Sequence, residues 1–242
     1  MKRETQTTDQ FYGNASSDQA KQTYRTIEID TPSDGFQLGP YNTYGLLSDP
    51  KRTGFLFARH KFVAKMLEGY NRVLEIGCQE GLGSMIVAQA AGHLVATDFY
   101  KPHIESCLNR LTGLVANIEF RGHDMIDAPI KEDFDGAFSM DVIEHIDPDQ
   151  EDLFMTHVCA SLCANGVFVV GTPSLESQKY ASPASKAGHI NCKSGEELRA
   201  LCKRFFHSVF MFGMNDEVLH TGFLPMAHYL IALCVHPKSV AT

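Results

Sequence analysis

From Val73 onward, short apolar runs alternate with longer amphipathic stretches. The apolar runs predict strands at 72–77, 93–98, 117–121, 134–140, 165–171, 207–213 and 227–236. Runs that are apolar throughout, rather than alternating, suit strands covered on both faces. Helical stretches lie between most of them, and Ser194-Gly195-Glu196-Glu197 before Leu198 has the spacing of a capping box. This alternation predicts a doubly wound α/β domain with a mainly parallel, seven-stranded sheet. The runs at 206–214 and 227–235 follow each other without a helical pattern, which an antiparallel final strand explains.

The first 70 residues read differently. Residues 1–22 are polar and rich in Gln, Thr and Ser, the composition of a disordered tail. Residues 31–53 are punctuated by Pro32, Gly35, Gly39, Pro40, Gly45 and Pro50 and read as loop, with Phe36, Tyr41 and Tyr44 able to pack. Helical spacing then runs from Phe55 to Leu67, and Gly69 stops it. The expected organisation is a tail (1–22), a cap segment with the first helix (23–70) and the main domain (71–242).

Chemistry enters at Val73-Leu-Glu-Ile-Gly-Cys-Gln-Glu-Gly-Leu-Gly-Ser84, where a strand breaks into a turn built on Gly77, Gly81 and Gly83. Such a turn lets backbone approach a ligand at the carboxyl end of a parallel strand. It does not read as Gly-x-Gly-x-x-Gly, since position 79 is Gln. Two more strands end in acids: Leu94-Val-Ala-Thr-Asp98 and Phe134-Asp-Gly-Ala-Phe-Ser-Met-Asp141. Asp98 lies 21 residues after Gly77, where an acidic side chain can accept from both ribose hydroxyls. Inside the first strand, the buried carboxylate of Glu75 must be paired or hydrogen-bonded.

With these motifs in order, residues 55–236 resemble the class I methyltransferases that use S-adenosylmethionine (SAM), which have a Rossmann-like fold. The resemblance implies SAM as cofactor, held by Glu75, Gly77, Cys78, Gln79, Gly81, Asp98 and Phe99, with Asp124 and Met125 at the adenine and Met140 beside the transferable methyl. The departure is Gln79, where the family usually has Gly.

On the acceptor side, Asp141, Glu144 and His145 fall at i, i+3 and i+4, on one face if the stretch turns helically. With His189 they make two carboxylates and two imidazoles, a set that suits a divalent cation (Mg²⁺, Mn²⁺, Fe²⁺ or Zn²⁺) with positions open to substrate oxygens. The acid-x-x-Glu-His element, Gly171-Thr-Pro-Ser174 and the downstream His resemble ubiquinone-synthesis O-methyltransferases and enzymes that 2′-O-methylate small-RNA 3′ ends. Asp141 stands where those have Glu. Glu-His after the fourth strand also occurs in methyltransferases without metal, and there His145 or His189 would take the hydroxyl proton. Tyr41, Tyr44, Arg59 and Lys61 can cover the cofactor or wall the substrate; a solvated helix face serves Arg59 and Lys61 equally well.

Composition narrows the partners. With 21% charged and 44% hydrophobic residues the chain has the make-up of a soluble globular protein. A net charge of −8 argues against DNA and RNA, which need a basic face. No apolar run approaches a membrane span, and the seven Cys without a Cys-x-x-Cys pair suit reduced thiols in a cytoplasmic protein. The oligomeric state, a homodimer included, is left open. Stretches 47–65 and 171–194 look similar to methyltransferases of bacterial polysaccharide gene clusters. The expected activity is therefore O-methylation of a hydroxylated small molecule, a sugar, nucleotide-linked sugar or diol of surface-glycan or natural-product biosynthesis. The alternatives are RNA 3′ ends, a lipid-linked catechol, or a non-catalytic SAM-binding subunit.

Overall fold

The computed structural model describes residues 35–239; the expected tail at 1–22 lies outside them. Its strands are β1 (Arg72–Ile76), β2 (His93–Asp98), β3 (Ile118–Gly122), β4 (Phe134–Met140), β5 (Leu162–Pro173), β6 (Phe206–Asn215), β7 (Val218–His220) and β8 (Tyr229–Pro237). They form one sheet in the order β3-β2-β1-β4-β5-β8-β6-β7. The first five strands pair in parallel, and β8 runs antiparallel to both its neighbours, β5 and β6.

The sheet has eight strands rather than the expected seven. The extra strand, β7, folds back on β6 through a two-residue turn in which Asp216 adopts φ 51°. Three residues after a polar turn carry too little apolar pattern to read as a strand.

Successive residues of each central strand feed opposite faces, as the strand period of two requires. Leu74, Val95, Phe168 and Val170 pack with α5 (Glu151–Ser161) and α7 (Gly195–Phe205). Val73, Leu94, Ala96 and Val169 pack on the other face with α2 (Pro50–Met66), α3 (Ser84–Ala88) and α4 (Lys101–Leu111). Ser194 and Glu197 form the expected capping box at the start of α7.

The loop expected over 31–53 is a helical segment from Pro40 onward. Pro40 begins α1 (Pro40–Ser48), and Pro50 begins α2. Proline costs a helix nothing at its first position, where the missing N–H has no intrahelical partner anyway. The prolines that read as punctuation are helix starts.

Candidate active site

The strand order reverses at β1, whose neighbours are β2 and β4. In open α/β sheets, ligands bind at the carboxyl ends of the strands at such a point. A cavity of about 840 Å³ opens there, within the range of small-molecule sites.

The glycine turn forms its floor. Gly77 and Gly81 both adopt positive φ, at 85° and 76°. A Cβ on Gly77 would stand 2.3 Å from Val142 Cγ2, so the position excludes side chains on two counts. Gln79 adopts φ 50°, a left-handed backbone that glycine takes without strain. Its N–H donates to Asp98 Oδ2 at 2.9 Å, and its carbonyl accepts from Cys107 Sγ at 3.4 Å. The backbone role survives the departure from Gly at the cost of strain, about 1–2 kcal/mol for a non-glycine residue. Gln79→Gly should therefore raise stability by up to about 1 kcal/mol, part of the relief being offset by the freer unfolded chain. A thermal melt should show a rise of up to about 2–4 °C. A fall would mean that the Gln side chain makes contacts the turn needs.

Asp98 is buried and held from two sides, with Oδ2 accepting from Gln79 N–H and Oδ1 from Tyr100 N–H at 2.8 Å. An ionised carboxylate has about four acceptor positions, so two remain for a ligand. Gly77, Cys78, Gln79, Asp98, Phe99, Asp124, Met125 and Met140 all border the cavity. Phe99 does so at the rim, 74% exposed. Asp124 Oδ1 accepts from Ile126 N–H and closes its own turn as well. Glu75 and Gly81 lie behind the cavity wall. Glu75 Oε1 is 3.7 Å from His60 Nε2, and a Cβ on Gly81 would meet Leu111 and Phe120. Sequence reading missed His60, which borders the cavity and whose ring a Cβ on Gly83 would strike at 2.2 Å. A lone His on a helical face carried no signal for this.

The acceptor-side residues divide into two groups. Glu144, His145 and His189 offer ligand atoms within 4.8 Å of one another. His145 Nδ1 donates to Gly188 O at 2.8 Å. His189 Nδ1 donates to Gln178 Oε1 at 3.0 Å, and Gln178 is turned that way because its Nε2 donates to Ser174 O. Both rings thus keep Nε2 for a ligand, the arrangement that metal-bound histidines use. Glu144 is fully buried; Oε2 accepts from Thr172 Oγ1 at 3.0 Å, while Oε1 has no hydrogen-bond partner among the described residues. Burial pushes its carboxyl up to about 8, the Asp141 charge adds to this, and Thr172 and Arg59 pull the other way. Burial, then the neighbouring His145, holds the His189 imidazole below its ordinary value.

Asp141 stands apart from that cluster. Both its oxygens accept from Arg59 Nη1, at 3.0 and 2.9 Å, and its own backbone is left-handed at φ 58°. Arg59 in turn lies over the Tyr229 ring, 3.7 Å from its centroid. Of the four residues expected at a metal, the structure brings three together and gives the fourth to an arginine on α2. Lys61 and Tyr44 are exposed, and Tyr41 borders the cavity.

A glycine turn and an acid-terminated second strand at the switch point of a 3-2-1-4-5 sheet define the class I methyltransferase architecture. Residues 73–166 match the family described as a methyltransferase domain. No curated protein matches the chain. Among solved structures, a chain from the complex between the Haloferax volcanii Trm112 methyltransferase activator and a putative methyltransferase aligns with TM-score 0.65 at 13% identity, covering 84% of this chain and 100% of that one. The N-methyltransferase NodS from Bradyrhizobium japonicum WM9, in complex with S-adenosyl-L-homocysteine (SAH), aligns with TM-score 0.57 at 16% identity, covering 90% and 98%. The methyltransferase domain of bacterial CtHen1-C aligns with TM-score 0.60 at 15% identity, covering 75% and 98%. Residues 73–166 thus match a methyltransferase domain, and the chain shares the fold of these solved structures. No helix among the described residues is long and apolar enough to cross a membrane.

Proposed function

We propose that the protein is an O-methyltransferase acting on a hydroxyl of a polar small molecule, a sugar, nucleotide-linked sugar or other diol. One observation carries this reading: His145 and Asp141 border the same cavity as the glycine turn and Asp98. A proton acceptor therefore stands in the compartment where the methyl would be presented. When bound, SAM supplies an electrophilic sulfonium methyl. The protein's part is to align the acceptor oxygen with that methyl and to remove the hydroxyl proton. His145 would take that proton at Nε2, since its Nδ1–H is committed to Gly188.

The donor set of Glu144, His145 and His189 fits a divalent ion, because Glu144 Oε1 is buried without a partner among the described residues and each imidazole has Nδ1 engaged, leaving Nε2 to coordinate. Held there, an ion would supply Lewis acidity to the acceptor hydroxyl. Asp141, bound to Arg59, falls outside this proposed set. The alternative acceptor, an RNA 3′ end, draws on the likeness to the small RNA methyltransferase HEN1, at TM-score 0.60 and 17% identity, but a net charge of −8 weighs against it.

The test is SAH release from a panel of hydroxylated metabolites and short RNA oligonucleotides, before and after exhaustive EDTA. Activity should appear with a sugar or diol, vanish on chelation and return with added metal. Full activity after chelation would leave the simple histidine-base mechanism. Activity on RNA alone would overturn the small-molecule reading.

A further inference from the structure

Glu80 lies inside the glycine turn, 4% exposed, and its carboxylate is turned away from the strands toward α1. Oε1 accepts from Tyr41 N–H at 3.1 Å; Oε2 accepts from Asn42 N–H at 2.9 Å and from Asn42 Nδ2 at 3.0 Å. These are the amides that the start of α1 leaves without intrahelical partners. Pro40 has no N–H, and Gly39 at the N-cap has no side chain to offer. Glu80 thus caps α1 from a distance of 39 residues in sequence, and its negative charge suits a helix N-terminus. The approach is close enough to require glycine opposite, because a Cβ on Gly39 would stand 2.3 Å from the Glu80 carboxyl carbon. On its other side the turn is tied to α4, where Arg110 Nη2 donates to Glu80 O at 2.8 Å.

What Glu80 holds is part of the cavity wall. Tyr41 and Asn42 both border it, and the Tyr41 ring meets His103 edge-on with centroids 6.3 Å apart. His103 Nδ1 in turn lies 3.4 Å from Asp98 Oδ2. From Glu80 through Tyr41 and His103, one continuous set of contacts leads to Asp98 in the cavity wall.

We propose that Glu80 is a positioning residue for the cofactor: it fastens α1 over the cavity, so that SAH leaves only when the Glu80 bonds to α1 open. The proposal rests on the reading that this cavity holds the cofactor. It predicts a kinetic signature that a merely structural role would not give, with dissociation and association both accelerated, because the bonds that must open for exit must also open for entry.

The experiment is stopped-flow and calorimetric binding of SAH to the full chain, comparing wild type with Glu80→Ala, Glu80→Gln, Gly39→Ala and the double variant Gly39→Ala/Glu80→Ala. Glu80→Ala should speed SAH dissociation at least about 10-fold, as loss of charge-assisted bonds implies. Gly39→Ala should do the same from the opposite side, and Glu80→Gln should fall between. Because both single variants break one contact, the double variant should be little worse than either. Should Glu80→Ala fail to fold, Gly39→Ala and Glu80→Gln report on the same contact. Dissociation within about twofold of wild type in the folded variants, or effects that simply add, would overturn the proposal. Wild-type protein that binds no SAH would overturn it together with the cofactor reading. Tight wild-type binding with unaltered variants would overturn it alone.

Discussion

Asp98→Ala should weaken SAH binding by at least about 1.5–3 kcal/mol, roughly 10- to 150-fold. Two losses combine. The ribose hydroxyls lose a charged acceptor, and the amides of Gln79 and Tyr100, which now donate to Asp98 at 2.9 and 2.8 Å, lose the group that fixes the turn. Asp98→Asn separates them, since its single carbonyl oxygen can satisfy one amide but not also two hydroxyls. Calorimetry should rank wild type above Asn, and Asn above Ala. Near-wild-type affinity in Asp98→Ala would remove the cofactor from this cavity.

His145→Ala should lower turnover by about 10²–10⁴-fold while leaving SAH affinity nearly unchanged. The ring is held by Gly188 O and packs edge-on against His189, with centroids 5.1 Å apart, and makes no hydrogen bond to the glycine turn. Single-turnover rates and equilibrium binding, measured on the same preparation, check the split. Parallel losses in both would mark His145 as a structural residue.

Seven of the eight strands were legible as apolar runs, β7 being too short to read, and Asp98 and Asp141 were legible because each is an acid closing such a run. Glu144 and His145 share a turn and are linked by sequence alone; His189 entered as a further imidazole donor and by resemblance, since nothing local in the sequence brings it 44 positions back to His145. The Arg59–Asp141 pair was invisible for a physical reason. Its members are 82 positions apart, and an arginine on a mixed helical face looks the same whether it meets solvent or a carboxylate. The Glu80 contact was hidden likewise. A carboxylate within a glycine turn says nothing of a helix start 39 residues earlier, and Pro40, which begins that helix, resembles a loop residue.

The placement of β8 has a consequence for biosynthesis. β8 is the last of the eight strands to leave the ribosome, yet it sits inside the sheet, seven residue pairs on β5 and eight on β6. Until it emerges, β5 presents an unpaired edge flanked by Val167, Phe168, Val169 and Val170, all buried in the finished fold. An unpaired apolar edge is a template for association with other chains. A nascent chain halted before Tyr229 would therefore carry two sticky edges at once, on β5 and on β6. Fragments ending before Tyr229 should recruit chaperones, and the full chain, once released from the ribosome so that β8 can insert, should not.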